Sequence, residues 1–188
     1  QIAAKQDDQC LIIQLDTPGG LLESTKHIVQ TFYASKVPVV VYVSPSGASA
    51  GSAGVFITLA ADVAAMAPNT SIGAAHPIEL GATGGVEKTD DVMKQKLENY
   101  TSSFAETIAD KRHRNVDWAR AAVTESVATT AEKALATNVI DLIATDVPDL
   151  LRQLDGRDIN GKTLHTMDAT VVDIPMSAWE KFSQIFLR

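Results

Sequence analysis

The apolar positions of this chain come in short β-branched runs separated by helical stretches, and the two patterns alternate from the N-terminal end onward. Cys10–Leu15 and Val37–Val43 predict strands, with a helix over Leu21–Ser35 between them. Val39, Val40 and Val41 form an unbroken apolar run, the pattern of a strand covered on both faces. A largely parallel sheet flanked by helices follows, an α/β fold. A small-residue turn then leads into a helix from about Ser52 to Ala61 and a short strand over Val63–Met66. From Asn69 through His76 and Pro77 the chain reads as loop, and Gly81, Gly84 and Gly85 extend it as a flexible stretch.

The second half is more helical. A long helix is expected from about Thr89 to Lys111, with Val92, Lys96, Asn99 and Ser103 on one face and Met93, Leu97, Tyr100 and Phe104 on the next. Another helix follows near Asp117. Thr129 and Glu132 have the spacing of a capping box for a helix over Ala131–Thr137, ahead of a strand over Val139–Ile143. A short helix, Val147–Leu154, stops at Asp155 and Gly156. Beyond it, Asn160 and Gly161 predict a hairpin turn, and Val171, Val172 and Ile174 a small further strand. The end carries Trp179, Phe182, Ile185 and Phe186 at helical spacing and stops while still apolar, as expected of a piece cut before a larger apolar segment. The chain therefore divides into a main domain over 1–156 and a lesser appendage over 157–188.

Composition narrows the function classes. At 188 residues and 20.0 kDa the chain has room for one domain with a real core, and 45% hydrophobic against 21% charged residues excludes a disordered or fibrous polymer. Sixteen Lys+Arg against 23 Asp+Glu leave a net charge of -7, with no basic footprint for nucleic acid. The single cysteine, Cys10, sits in an apolar run and is expected to pack in a strand. Gln1 is not a start methionine and no signal peptide opens the chain, so a fragment or processed product is expected. The 25 uncharged residues between Lys36 and Asp62 are enough to span a bilayer, but Pro38, Pro45, Gly47, Gly51, Gly54 and four serines break them into strand, turn and helix. His27, His113 and His165 lack ligand-like spacing, so neither a metal nor another cofactor is expected.

Two small-residue turns can carry chemistry. Asp16-Thr17-Pro18-Gly19-Gly20 lies between a strand and a helix, where backbone without side chains lets N–H groups approach a ligand. Ser44–Gly54, reading S-P-S-G-A-S-A-G-S-A-G, lies between the apolar strand and the apolar helix. A serine opening that helix either caps it or acts as a nucleophile, its oxyanion met by the next N–H and the positive helix end. Gly47-Ala48-Ser49-Ala50-Gly51 also matches the G-x-S-x-G nucleophile elbow, but Ser49 follows Val43 by six residues where the elbow serine comes straight off its strand.

Taken together, L-D-T-P-G-G at Leu15–Gly20, G-A-S-A-G-S-A-G at Gly47–Gly54, A-P-N-T-S-I-G at Ala67–Gly73 and the later T-A-E-K-A-L stretch resemble the NfeD family. That family comprises membrane-anchored serine peptidases similar in fold to ClpP and signal peptide peptidase SppA, within the ClpP/crotonase superfamily. The match runs from about Cys10 to Leu154. By this resemblance the nucleophile falls on Ser52, and the base is a lysine in a K-x-x-N-Y pattern, met by Lys96 to Tyr100 and not by Lys88 or Lys94. The oxyanion donors fall on the N–H groups of Gly20 and Ala53, and substrate binding on Gly19. Only Gln1 to Asp8 stand before the segment matching Leu11, where the family normally has a further strand and helix, so a fold lacking one edge is expected, and the loop from His76 to Lys96 is a few residues longer than usual. Membrane helices downstream are absent from this chain.

The resemblance implies a Ser–Lys endopeptidase acting on hydrophobic segments of stomatin-like membrane proteins. It further implies a soluble domain on the extracytoplasmic side of the membrane, anchored by regions outside this chain, and assembly into homodimers or larger rings. A lysine accepts a serine proton only when neutral, and its ordinary pKa of ~10.4 requires a site that favours the uncharged amine. Val92, Met93, Leu97 and Tyr100 are the apolar neighbours that could provide it. Three rivals stand beside this reading. His76, before Pro77, allows a Ser–His version, although by the shared proline the ClpP histidine falls on Ala75. A crotonase-like acyl-CoA enzyme would use the same two N–H donors but needs a carboxylate where Ser52 and Ala53 stand. A catalytically silent scaffold for membrane proteins would use neither.

Overall fold

A computed structural model describes residues 8–77 and 91–174. In chain order the first half runs β1 (Leu11–Leu15), α1 (Leu22–Tyr33), β2 (Val39–Val43), β3 (Ser49–Gly51), α2 (Ala53–Ala60), β4 (Val63–Met66) and β5 (Ser71–Gly73). The second half runs α3 (Asp91–Lys111), α4 (Val116–Thr124), β6 (Ala128–Thr130), α5 (Ala131–Ala136), β7 (Leu142–Ile143), α6 (Val147–Leu154), β8 (Asp158–Ile159) and β9 (Lys162–Thr163). Strands β1, β2, β4 and β7 form one parallel sheet in the order β1-β2-β4-β7, as the Val39–Val41 run predicts. Helices cover it on both sides.

Strand β2 shows why the sheet is closed on both faces. Val39, Val41 and Val43 join Phe32 of α1, Val55, Phe56 and Leu59 of α2, and Ile108 of α3 in one apolar layer. Val40 and Tyr42 point the other way, to Leu150 and Leu154 of α6 and to Ile159 and Leu164 around the β8–β9 hairpin. Each such fully buried side chain contributes roughly 2 kcal/mol, so β2 is the centre of the stability. Tyr42 keeps its one polar atom satisfied by donating to the Ala144 carbonyl at 2.8 Å. Phe56 stacks on Phe104 with ring centroids 5.5 Å apart, which fixes α3 over α2.

At the N-terminal ends of the strands, carboxylates close the backbone. Asp62 accepts from the Val39 N–H at 2.8 Å and pairs with Arg112, while Asp141 accepts from the Ala64 N–H at 2.6 Å and pairs with buried Arg114. At the C-terminal ends a second, three-stranded sheet, β3-β5-β6, takes over, bridged to the first where Thr17 pairs with Ala50.

That second sheet departs from the expectation of turn and loop. Its strands are made of Ser, Ala, Gly and Thr, carry little apolar alternation, and are held by close backbone approach. A side chain on Gly73 would lie 2.3 Å from the Val127 carbonyl oxygen. Thr129 is consumed by β6, opposite Ile72, so no capping box forms there. The N-cap of α5 is Thr130, whose side chain caps nothing. Glu132 is held below its usual range by its own backbone N–H and the Thr130 hydroxyl. The strand expected over Val139–Ile143 shortens to β7, because the Val139 N–H closes α5 on the Ala134 carbonyl. Asn160 and Gly161, both at positive φ, turn the β8–β9 hairpin as predicted. Val171, Val172 and Ile174 form no strand; they stand exposed, with no partner strand beside them among the described residues. Gly81, Gly84, Gly85, Lys88, the expected helix start at Thr89, and Trp179, Phe182, Ile185 and Phe186 lie outside the described residues.

Candidate active site

The two small-residue turns meet in the crevice outside the carboxyl ends of β1 and β2, the usual place for a site in an open parallel sheet. β1 leads into Asp16–Gly20, and β3 leads into Ser52 at the head of α2. The Thr17 N–H donates to the Ser49 carbonyl at 2.8 Å, and the Gly51 N–H to the Thr17 carbonyl at 2.9 Å. Asp16 accepts from the Ser49 N–H at 3.0 Å. A methyl group on Gly51 would come within 2.9 Å of the Pro18 carbonyl oxygen, and one on Gly54 within 2.9 Å of the Thr17 methyl. Only glycine permits this approach.

Ser52 is the residue this packing singles out. Its backbone sits at φ 47 and ψ -109, a region non-glycine residues rarely occupy, and it is held there by its N–H donating to the Gly73 carbonyl at 3.2 Å. Such strain is stored where surrounding structure enforces it, and often at functional sites. Although Ser52 is the N-cap of α2, its hydroxyl makes no capping bond, so the ordinary use of a serine at this place is set aside. A methyl group on Gly19 would stand 3.3 Å from Ser52 Oγ. Gly19 is thus the floor under the hydroxyl.

Gly20 and Ala53 come side by side, since a methyl group on Gly20 would lie 3.4 Å from the Ala53 Cβ. Among the described residues neither N–H donates to an acceptor, and Ala53 is the first residue of α2, whose positive end points the same way. Among the described residues, a strained serine with an uncommitted hydroxyl therefore lies beside two uncommitted backbone donors. That set can attack a carbonyl and hold the oxyanion that results.

Of the predicted residues, Gly19, Gly20, Ser52 and Ala53 are together; Lys96 is not joined to them. Lys96 is exposed on α3, and among the described residues no hydrogen bond or ion pair links it to Ser52. Its expected apolar surroundings are themselves open: Val92, Met93 and Tyr100 are 58%, 51% and 49% exposed. This part of α3 is tied instead to α1, where the Lys26 ammonium stands 5.4 Å over the Tyr100 ring and is held above its usual range by Tyr100 and Glu23. Lys94 pairs with Asp91 instead.

His76 is exposed, with Nδ1 at 2.9 Å from the Val123 carbonyl, while Ala75 beside it is buried in the core. The inward-facing position is thus alanine. Ser49 lies within β3, not at a strand-to-helix turn, so the elbow reading fails on geometry. The Cys10 thiol is pushed up to about 11 by burial, which leaves it without thiolate character at neutral pH. No group of three metal-ligating side chains occurs among the described residues, and none of their helices is long and apolar enough to cross a membrane. Sequence reading missed Thr17 and Gly73 as parts of the site, although both stand inside motifs that carry the resemblance.

A family model for the NfeD1b N-terminal domain matches residues 1–162. The chain belongs to that family. Membrane-bound protease PH1510 of Pyrococcus horikoshii is 36% identical over 179 residues, which cover 92% of this chain and 39% of that protein. Membrane protein NfeD1b of Bacillus subtilis is 30% identical over 89 residues, 47% of this chain and 20% of that protein. This NfeD1b-type domain therefore spans about two-fifths of the length of the first relative. Among solved structures, a lysine-to-alanine mutant of the 1510-N membrane-bound stomatin-specific protease in complex with a substrate peptide superposes with a TM-score of 0.88 at 34% identity, over 98% of this chain and 86% of that one. A serine-to-alanine mutant of the same protease gives 0.83 at 36%, over 94% and 86%. The NfeD resemblance and the ClpP-like α/β fold of the domain are both borne out.

Proposed function

We propose that this domain is a serine endopeptidase with a Ser–Lys dyad, acting on hydrophobic segments of stomatin-like membrane proteins. The observation that carries it is the strained Ser52, its hydroxyl free of the helix it heads and set against Gly19 beside the open Gly20 and Ala53 donors. Ser52 Oγ attacks the peptide carbonyl carbon while Lys96 Nζ takes the hydroxyl proton, and the oxyanion is held by Gly20 N–H and Ala53 N–H. The C–N bond then breaks as the proton passes to the leaving amine, and a water, deprotonated in turn, hydrolyses the acyl-enzyme. Gly19 lines the substrate path.

Lys96 has to reach Ser52 for this, which in the described arrangement requires substrate or a partner to bring the start of α3 inward. Catalytic hydrogen bonds often tighten only in the substrate complex. The stomatin-specific relative supports the dyad, because the residues altered in its two mutants are a serine and a lysine. They lie three positions closer in sequence than Ser52 and Lys96, in keeping with a longer loop here. The peptidase unit covers 1–156, with 157–188 an appendage whose hairpin is anchored in the core by Ile159 and Leu164. We place it outside the cytoplasm, tethered through the rest of its protein and assembled as a homodimer or larger ring.

Hydrolysis of an apolar peptide tests the reading. Ser52→Ala is expected to lower kcat at least a thousandfold, roughly as in other serine hydrolases. Lys96→Ala should do the same, and Lys94→Ala and His76→Ala should leave the rate within about threefold. Loss only in His76→Ala would transfer the base to the histidine, and equal rates in Ser52→Ala would end the proposal.

A further inference from the structure

Thr17 bonds to the first turn through its hydroxyl and to the second through its own backbone, and the peptidase reading gives it no task. Its hydroxyl lies 2.9 Å from the Gly19 carbonyl, to which it donates, and 3.2 Å from the Gly19 N–H, from which it accepts. The carbonyl of Gly19 belongs to the same planar peptide unit as the N–H of Gly20, and in a trans peptide the two point in opposite directions. Anchoring the carbonyl therefore aims the N–H. That peptide unit joins two glycines, the first at φ 153, and without Cβ atoms on either side nothing else in the local sterics selects one orientation of the plane over its reverse.

The rest of Thr17 works in the same sense. Its N–H and carbonyl are bonded to Ser49 and Gly51, and its methyl packs where a side chain on Gly54 would otherwise go, so the residue is fixed to the segment that carries Ser52 and Ala53. One side chain thus registers the two donors against each other. We propose that Thr17 is a positioning residue, whose hydroxyl locks the Gly19–Gly20 peptide so that the Gly20 N–H faces the oxyanion beside the Ala53 N–H. This rests on Ser52 being the nucleophile.

The test is the second-order rate at which a serine-reactive phosphonate labels the intact chain, measured with the thermal midpoint of each variant. A phosphonate adduct places an oxygen where the oxyanion forms, so its rate reads the donors directly. Thr17→Val keeps the shape and removes the hydroxyl; it should slow labelling at least about tenfold, since loss of one such donor costs 10²–10³ elsewhere. Thr17→Ser restores the hydroxyl without the methyl and should label within about threefold of wild type. A purely structural role would order the variants by thermal midpoint instead. Should Thr17→Val not fold, Thr17→Ala against Thr17→Ser repeats the comparison, because both lack the methyl and differ only in the hydroxyl. Equal rates in either pair overturn the proposal. Ser52→Ala separates the two levels: no labelling there leaves the peptidase reading intact whatever Thr17 does, whereas undiminished labelling removes the nucleophile itself.

Discussion

The two ends of the parallel sheet face the same problem and answer it in opposite ways. Where strands begin and end, backbone N–H groups lose their ladder partners, and a buried donor left open costs about as much as a lost hydrogen bond. At the N-terminal end Asp62 and Asp141 reach in to accept from Val39 and Ala64, and arginines neutralise both carboxylates. At the C-terminal end, among the described residues, the exposed Gly20 N–H and the buried Ala53 N–H have no acceptor, and a strained serine is set beside them. Closure by side chains makes the first end a foundation. Openness, held in place by glycine contacts and Thr17, makes the second the candidate site.

The contrast breaks most visibly at Gly51. Gly51→Ala puts a methyl group 2.9 Å from the Pro18 carbonyl oxygen, and backbone cannot yield as a flexible side chain does. Activity per folded molecule should fall at least about a hundredfold, because a displacement near 1 Å costs that much, while stability falls by about 1–3 kcal/mol. Peptide hydrolysis and denaturant unfolding of the same preparation measure the two.

Asp141→Ala probes the closed end. It strands the buried Arg114 and the Ala64 N–H, so unfolding free energy should drop by about 3–5 kcal/mol with the rate per folded molecule unchanged. A rate loss as large as that of Gly51→Ala would erase the distinction between the ends.

The smallest effect is acid sensitivity. Asp149 is held below its usual range by the Thr145 N–H, and Asp155 by the Met167 and Thr166 N–H groups. A carboxyl whose folded pKa is depressed stabilises the fold above its unfolded value of ~3.9, and the contribution is lost as pH falls through the folded value. Stability should therefore decline below about pH 4, and Asp149→Asn with Asp155→Asn should flatten that decline. An unchanged acid limb would remove these carboxylates from the stabilising set.

The same contrast explains what could be read from the sequence. Strand β2, α1, α2 and α6 were legible because burial writes itself as apolar runs and helical periods, and the β8–β9 turn because Asn160-Gly161 suits positive φ. Strands β3, β5 and β6 were not, since segments of Ser, Ala, Gly and Thr look like turns until the backbone approach that holds them is seen. Ser52 was reached through four motifs in order; its strain and its uncommitted hydroxyl are tertiary facts. The exposure of Lys96 was not legible either, because a K-x-x-N-Y pattern names a residue without placing its amine relative to the serine.

The most direct measurement is a structure of the intact chain carrying a phosphonate adduct. The phosphorus is expected bonded to Ser52 Oγ, with one phosphonyl oxygen about 2.7–3.1 Å from both the Gly20 and Ala53 nitrogens and Lys96 Nζ brought within hydrogen-bond reach of the serine oxygen. An adduct on another residue, or on Ser52 with its oxygen turned away from both nitrogens, would contradict it.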